Sequence, residues 1–150
     1  MKALEFHPEV LEAITLHAEE NFPYESCGFL LGRDGNDFRT FSDYLLVDNS
    51  KEGDQRKRFE ISPKDYMQAE REAALRGLDL LGIYHSHPDH PAIPSRHDHK
   101  QAMPFFSYVI LSIREGRLSK YTSWQLDDNG AFIREPILND QSYQVATASI

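Results

Sequence analysis

The chain has 150 residues, a hydrophobic fraction of 40%, a charged fraction of 27% and a formal net charge of −8 at pH 7. This length suits one soluble domain with a sizeable core, and the acidic balance argues against a nucleic-acid partner, which needs clustered Lys and Arg. No apolar run reaches the roughly 20 residues that span a bilayer, the first eight residues lack a leader's apolar core, and the single cysteine excludes an internal disulfide, so a cytoplasmic protein with no membrane partner is expected.

Pro8 suits the first turn of a helix, and Val10, Leu11, Ile14 and Ala18 recur at helical spacing until Asn21 and Pro23 stop it. His17 is expected on that helix's surface. Cys27 to Gly32 reads as a buried strand, and Arg33 to Asp37 turns it into a longer one, Phe38 to Val47. Residues 48–58 are polar and contain Gly53, so an exposed loop follows. Its basic cluster, Lys51 with Arg56-Lys57-Arg58, is interleaved with Glu52, Asp54 and Glu60 and reads as solvated. Ser62-Pro63-Lys64-Asp65 fits a capping box with proline at the first helical position, and that helix runs to Arg76 with Gly77 as its C-terminal cap.

Leu80 to Tyr84 is a short apolar run, hence a buried strand, and Pro88 is expected to end its ladder. Ser95-Arg96-His97-Asp98 fits another capping box, opening a short helix that Pro104 ends. Ser107 to Ile113 is a near-continuous apolar run, as in a central strand. Turns at 114–117 and 127–130 then lead into Leu118 to Leu126 and Ala131 to Arg134. The order α-β-β-α-β-α-β-β-β predicts an α/β (α+β) domain, one mixed sheet with helices on its faces. Residues 136–150 have no clear period and form a tail, packed or disordered.

Five of the seven histidines (His85, His87, His90, His97, His99) fall within fifteen residues. In a strand, side chains two apart share a face, so His85 and His87 project together, whereas on a helix they would diverge by roughly 200°. Two imidazoles on one face are half of a metal site, and catalytic zinc usually takes three protein ligands and leaves a fourth position open. Spacing alone leaves His90, His97, His99 and Asp98 all eligible as the third. Ser86 points to the opposite face. Cys27 opens an apolar run and reads as a small buried residue, not a nucleophile.

His85-x-His87, ten residues, then Asp98, with Ser95 three residues before it, resembles the JAMM (MPN-plus) metallopeptidase motif. The segment Pro23 to Gly32 resembles the stretch that carries the family's glutamate, here Glu25. Asn49, Phe59 to Pro63 and Gly82 to Tyr84 are further family-like features. The resemblance covers roughly residues 1 to 135 and implies an MPN/JAB-type, cytidine deaminase-like architecture. It further implies Zn2+ held by His85, His87 and Asp98, with Glu25 as general base and Ser95 donating to the developing oxyanion.

The activity so implied is hydrolysis of the amide bond after the C-terminal glycine of a ubiquitin-like protein. A compact chain without long insertions is similar to the bacterial branch that acts on sulfur-carrier–cysteine conjugates, making the carrier's tail the expected partner. The alternative is a non-catalytic MPN scaffold. Such scaffolds lack the ligands, and here every motif position is filled. A zinc deaminase would need a His-x-Glu and a downstream Cys-x-x-Cys, which the chain lacks.

Overall fold

The structure, a computed structural model describing residues 2–138, opens on a strand absent from the expected order. Strand β1 (Ala3–Phe6) pairs in parallel with β3 (Phe38–Val47). Leu4 and Phe6 turn inward and Ala3 and Glu5 outward. Helix α1 (Pro8–Asn21) follows, starting on its proline and burying Val10, Leu11, Ile14 and Ala18. Strand β2 (Cys27–Asp34) and β3 form the expected hairpin.

Helix α2 (Pro63–Leu75) starts where Ser62 accepts from the Asp65 N–H, and Gly77 follows its end at a φ of +68°. Strand β4 (Asp79–Pro88), helix α3 (Arg96–Gln101), strands β5 (Ser107–Arg114), β6 (Arg117–Leu126) and β7 (Phe132–Arg134) complete the described elements. The β5–β6 turn has positive φ at both Glu115 and Gly116, as a tight hairpin turn requires.

The seven strands form one sheet in the order β1-β3-β2-β4-β5-β6-β7, with β1/β3 and β4/β5 parallel and the other pairs antiparallel. α1 covers one face, packing against Leu30, Tyr84, Val109, Leu111 and Tyr121. Burial of Val10, Leu11 and Ile14 contributes about 1.5–3 kcal/mol apiece. On the other face, Phe29, Ile83 and Tyr108 pack with Ala69 of α2 and with Phe59. β4 lies mid-sheet, paired with β2 on one side and β5 on the other.

Three features add to or depart from the expected pattern. β4 runs beyond the Leu80–Tyr84 run through His85 and His87 and ends at Pro88. β2 ends at Cys27 opposite His85, the Ser86 N–H still reaches the Ser26 carbonyl, and β5 pairs on to Pro88. A proline is tolerated there, at the strand's last position. His17 is half-buried, with Nδ1 2.7 Å from the Tyr84 hydroxyl. The segment 48–58 is tied down as well as exposed. The Asn49 side chain accepts from the Lys51 and Glu60 N–H groups and donates to the carbonyls of Glu25 and Arg58. Beyond β7, the Leu4 N–H donates to Pro136 and the Leu138 N–H to Leu4, so the first tail residues lie along β1. Residues 139–150 of the expected tail lie outside the described residues.

Candidate metal and catalytic site

β4 delivers His85 and His87 to the face that carries α2 and α3, and both are buried. Their Nε2 atoms lie 3.1 Å apart. The carboxylate of Asp98 reaches them from the first turn of α3, with Oδ2 3.0 Å from His87 Nε2 and 3.2 Å from His85 Nε2. The same Oδ2 accepts the Ser95 N–H at 2.8 Å, while Ser95 Oγ accepts the Asp98 N–H at 3.0 Å. The capping box and the proposed ligand position are therefore one arrangement.

Each imidazole is oriented. His87 Nδ1 lies 2.8 Å from the Pro91 carbonyl, which can only accept, so in the neutral ring Nδ1 carries the proton and Nε2 the lone pair. His85 stacks on Phe59, with ring centroids 4.4 Å apart and 22° between planes. Burial lowers the His85 pKa against the opposing pull of Asp98, which keeps this ring neutral. Burial alone would raise Asp98, but His85, His87 and the Ser95 N–H hold it well below the usual carboxylate range.

Nε2 of both imidazoles thus converges with an anionic oxygen, and a cation between them would reconcile the three. Ligand atoms placed tetrahedrally at about 2.0–2.1 Å from zinc would be roughly 3.3 Å apart. The observed separations of 3.0, 3.1 and 3.2 Å are close to that edge. The donor set fits a metal.

Glu25 comes from the segment preceding β2 and is 5% exposed. A ligand atom of its carboxylate and those of His85 and His87 all lie within 4.8 Å of one another, so two carboxylates flank the imidazole pair. They differ in partners. Asp98 Oδ2 has three partners, whereas Glu25 Oε1 is buried without a hydrogen bond. Burial, then the charge of Asp98, push the Glu25 pKa up to about 9. Its backbone is fixed by its N–H donating to Gln55 and by Asn49 donating to its carbonyl. A pocket of about 420 Å³ opens here, lined by Glu25, Lys57, His87, His90, Pro91, Ile93 and Ser95.

Other histidines point elsewhere. His97 faces the Phe59 carbonyl and the Gln101 amide, and His99 lies 2.7 Å from the Gly130 carbonyl. His90 lines the pocket without joining the cluster. Ser86 faces away and accepts the Ser26 N–H. Cys27 is fully buried, its thiol pushed up to about 12 by burial and by Glu25.

Several supporting residues escaped the residue pattern. The carbonyls of His90 and Ala92, which flank Pro91, accept from Ser112 Oγ and Thr122 Oγ1, both at 2.6 Å. Three consecutive carbonyls of this loop are thereby held, the middle one by His87. Phe59 belongs to a segment with family character, but its stacking on His85 needed the fold to be seen.

The family described as prokaryotic homologs of the JAB domain matches residues 7–127. The chain belongs to that family. Its JAB domain is 31% identical over 122 residues to a desampylase of Haloferax volcanii, covering 78% of this chain and 84% of that protein. It is 31% identical over 137 residues to the CysO-cysteine peptidase of Mycobacterium tuberculosis, covering 86% of each. A solved structure from Desulfitobacterium hafniense matches with a TM-score of 0.79 at 27% identity, over 90% of this chain and 91% of that one. The expected JAMM-type architecture is the one observed.

Proposed function

We propose that this JAB domain is a zinc-dependent, cytoplasmic hydrolase. It cleaves the amide bond after the C-terminal glycine of a ubiquitin-like sulfur-carrier protein, releasing cysteine or a short extension. Support comes from His85 Nε2, His87 Nε2 and Asp98 Oδ2 converging beside the unpartnered Oε1 of Glu25. Two imidazoles and one carboxylate suit zinc and leave a coordination position for the reaction. The kinship with a CysO-cysteine peptidase favours a carrier–cysteine amide as substrate.

Bound zinc would supply Lewis acidity, polarising the scissile carbonyl and acidifying water. Glu25 takes the proton of the attacking water and returns it to the leaving amine. Burial and Asp98 oppose its charge while no cation is present, and a bound dication would offset both and favour the carboxylate that accepts the proton. Ser95 spends only a lone pair on its cap, so its hydroxyl hydrogen is available to the oxygen that becomes negative. Asp98 stays ionised and oriented by that cap. A tail without Cβ atoms passes a buried cluster most closely, which favours glycine at the cleavage point.

The test is intact-mass spectrometry of a carrier extended by Gly-Gly-Cys, incubated with zinc-loaded protein. Loss of the cysteine mass is expected, suppressed by chelator and restored by zinc. Glu25→Gln should keep the metal and slow the reaction by about 10²-fold or more. Absence of any cleavage by the zinc-loaded protein, or wild-type turnover by Glu25→Gln, would refute the assignment.

A further inference from the structure

The sheet face that carries His85 and His87 does not stop at β5. His85 pairs with Ile110 and His87 with Ser112. Across the next ladder Ile110 faces Thr122 and Ser112 faces Lys120, and beyond it Trp124 faces Arg134. Pairs share a face, so the face bearing the imidazoles continues across β6 to β7. Along it runs a second groove of about 280 Å³, with Trp124, Arg114, Lys120 and Arg134 on one side and Pro91 and Ile93 on the other. Pro91 and Ile93 also line the metal pocket, so the two share one wall.

The groove's chemistry is at odds with the rest of the chain. The net charge is −8, yet three cations line this groove and no carboxylate does. Arg114, Lys120 and Arg134 are exposed, and none is in an ion pair among the described residues. The half-buried indole of Trp124 donates to Thr122 Oγ1, which in turn donates to the Ala92 carbonyl of the shared wall. Ile93, on the rim, is 61% exposed. An aromatic floor, an aliphatic rim and three unneutralised cations fit an acidic peptide strip carrying an apolar residue.

We infer that this groove is the subsite for an acidic segment of the carrier protein, immediately upstream of its glycine tail. This rests on the proposed function for the direction of the chain. Where the leaving group is cysteine, it spans at most about 3.6 Å and cannot fill a second groove beyond the metal pocket. The carrier side continues as polypeptide and can. Cations at the rim select by complementary charge and speed encounter, while main-chain contacts near the metal stay indifferent to side chains.

The chain's one tryptophan is Trp124, so its fluorescence reports this groove and nothing else. Two decapeptides ending in Gly-Gly, one with glutamates and one with lysines upstream, are titrated into the zinc-loaded full chain and its Lys120→Glu/Arg134→Glu variant. The acidic peptide should change the emission saturably and lose affinity at high salt. In the variant it should bind about tenfold more weakly, the sum expected of two exposed ion pairs turned repulsive. The same peptides extended by cysteine are then assayed for cleavage. Equal affinity of wild type for both peptides, or unchanged binding in the variant, overturns the subsite even if both are cleaved. Charge-selective binding without cleavage leaves the subsite standing and removes the proposed reaction instead.

Discussion

Replacing Ser95 by alanine separates two roles that the geometry superimposes. Ser95 Oγ accepts the Asp98 N–H, so its loss uncaps α3. Loss of a serine cap costs about 1 kcal/mol, and in a domain of this size 1 kcal/mol moves the melting midpoint by roughly 2–4 °C. At 25 °C that leaves the fold populated and, if capping were the whole role, turnover nearly unchanged. If the hydroxyl also donates to the forming oxyanion, kcat should fall by about 10²–10³-fold, the usual effect of losing one such donor. The Ser95 N–H to Asp98 contact comes from the backbone and survives, so metal content should not change. Ser95→Asn is the control, since asparagine caps as well as serine and should restore the melting midpoint. The assay pairs thermal unfolding with single-turnover cleavage of the carrier conjugate. A kcat within threefold of wild type in Ser95→Ala would refute the donor role and leave Ser95 a cap alone.

His85→Ala/His87→Ala should lose its zinc by metal mass spectrometry, and full occupancy in that variant would move the site elsewhere. Thr122→Val releases the Ala92 carbonyl and loosens the loop whose Pro91 carbonyl orients His87. Zinc affinity by competition with a chelator should drop by about tenfold, as for other outer-shell partners. Gly28→Ala would set its Cβ against the Tyr84 ring and the Leu45 carbonyl. Overpacking of this kind costs about 1–3 kcal/mol in denaturant unfolding, and a wild-type midpoint would show that the Tyr84 ring yields freely.

Local signals carried most of the element order. α1 announced itself by period and proline, α2 and α3 by their capping serines, and the hairpins by Asp, Asn and Gly at their turns. β1 gave no such signal, because four residues are too few for a period and its parallel partner lies more than thirty residues away. Pro88 does end its strand, and the register shows why it can also hold the last pair. Whether a proline ends a strand depends on which neighbour remains beside it, which is a property of the sheet. Within the candidate site, the shared face of His85 and His87 followed from alternation alone. The approach of Asp98, rather than His97 or His99, depended on how α3 is set above β4, and spacing could not choose. Arg39 shows the limit most clearly. A buried arginine near the start of β3 has no evident reason until the carbonyls of Leu81 and Phe105 and the Ser107 hydroxyl are seen around it.

The three converging donors are mounted on supports of unequal firmness. Near His85, β4 has a partner strand on both sides, and opening it there means breaking the middle of the sheet. Asp98 rides on a helix of six residues, shorter than any that holds together by itself. In native-state hydrogen exchange, the amides of β4 should therefore open only with the whole domain, and those of α3 by local fraying at a much smaller cost. A bound ion would then come and go by release of its carboxylate while both imidazoles stay in place. The lifetime of the metal in this protein would be set at the end of α3, and hardening the sheet would not lengthen it.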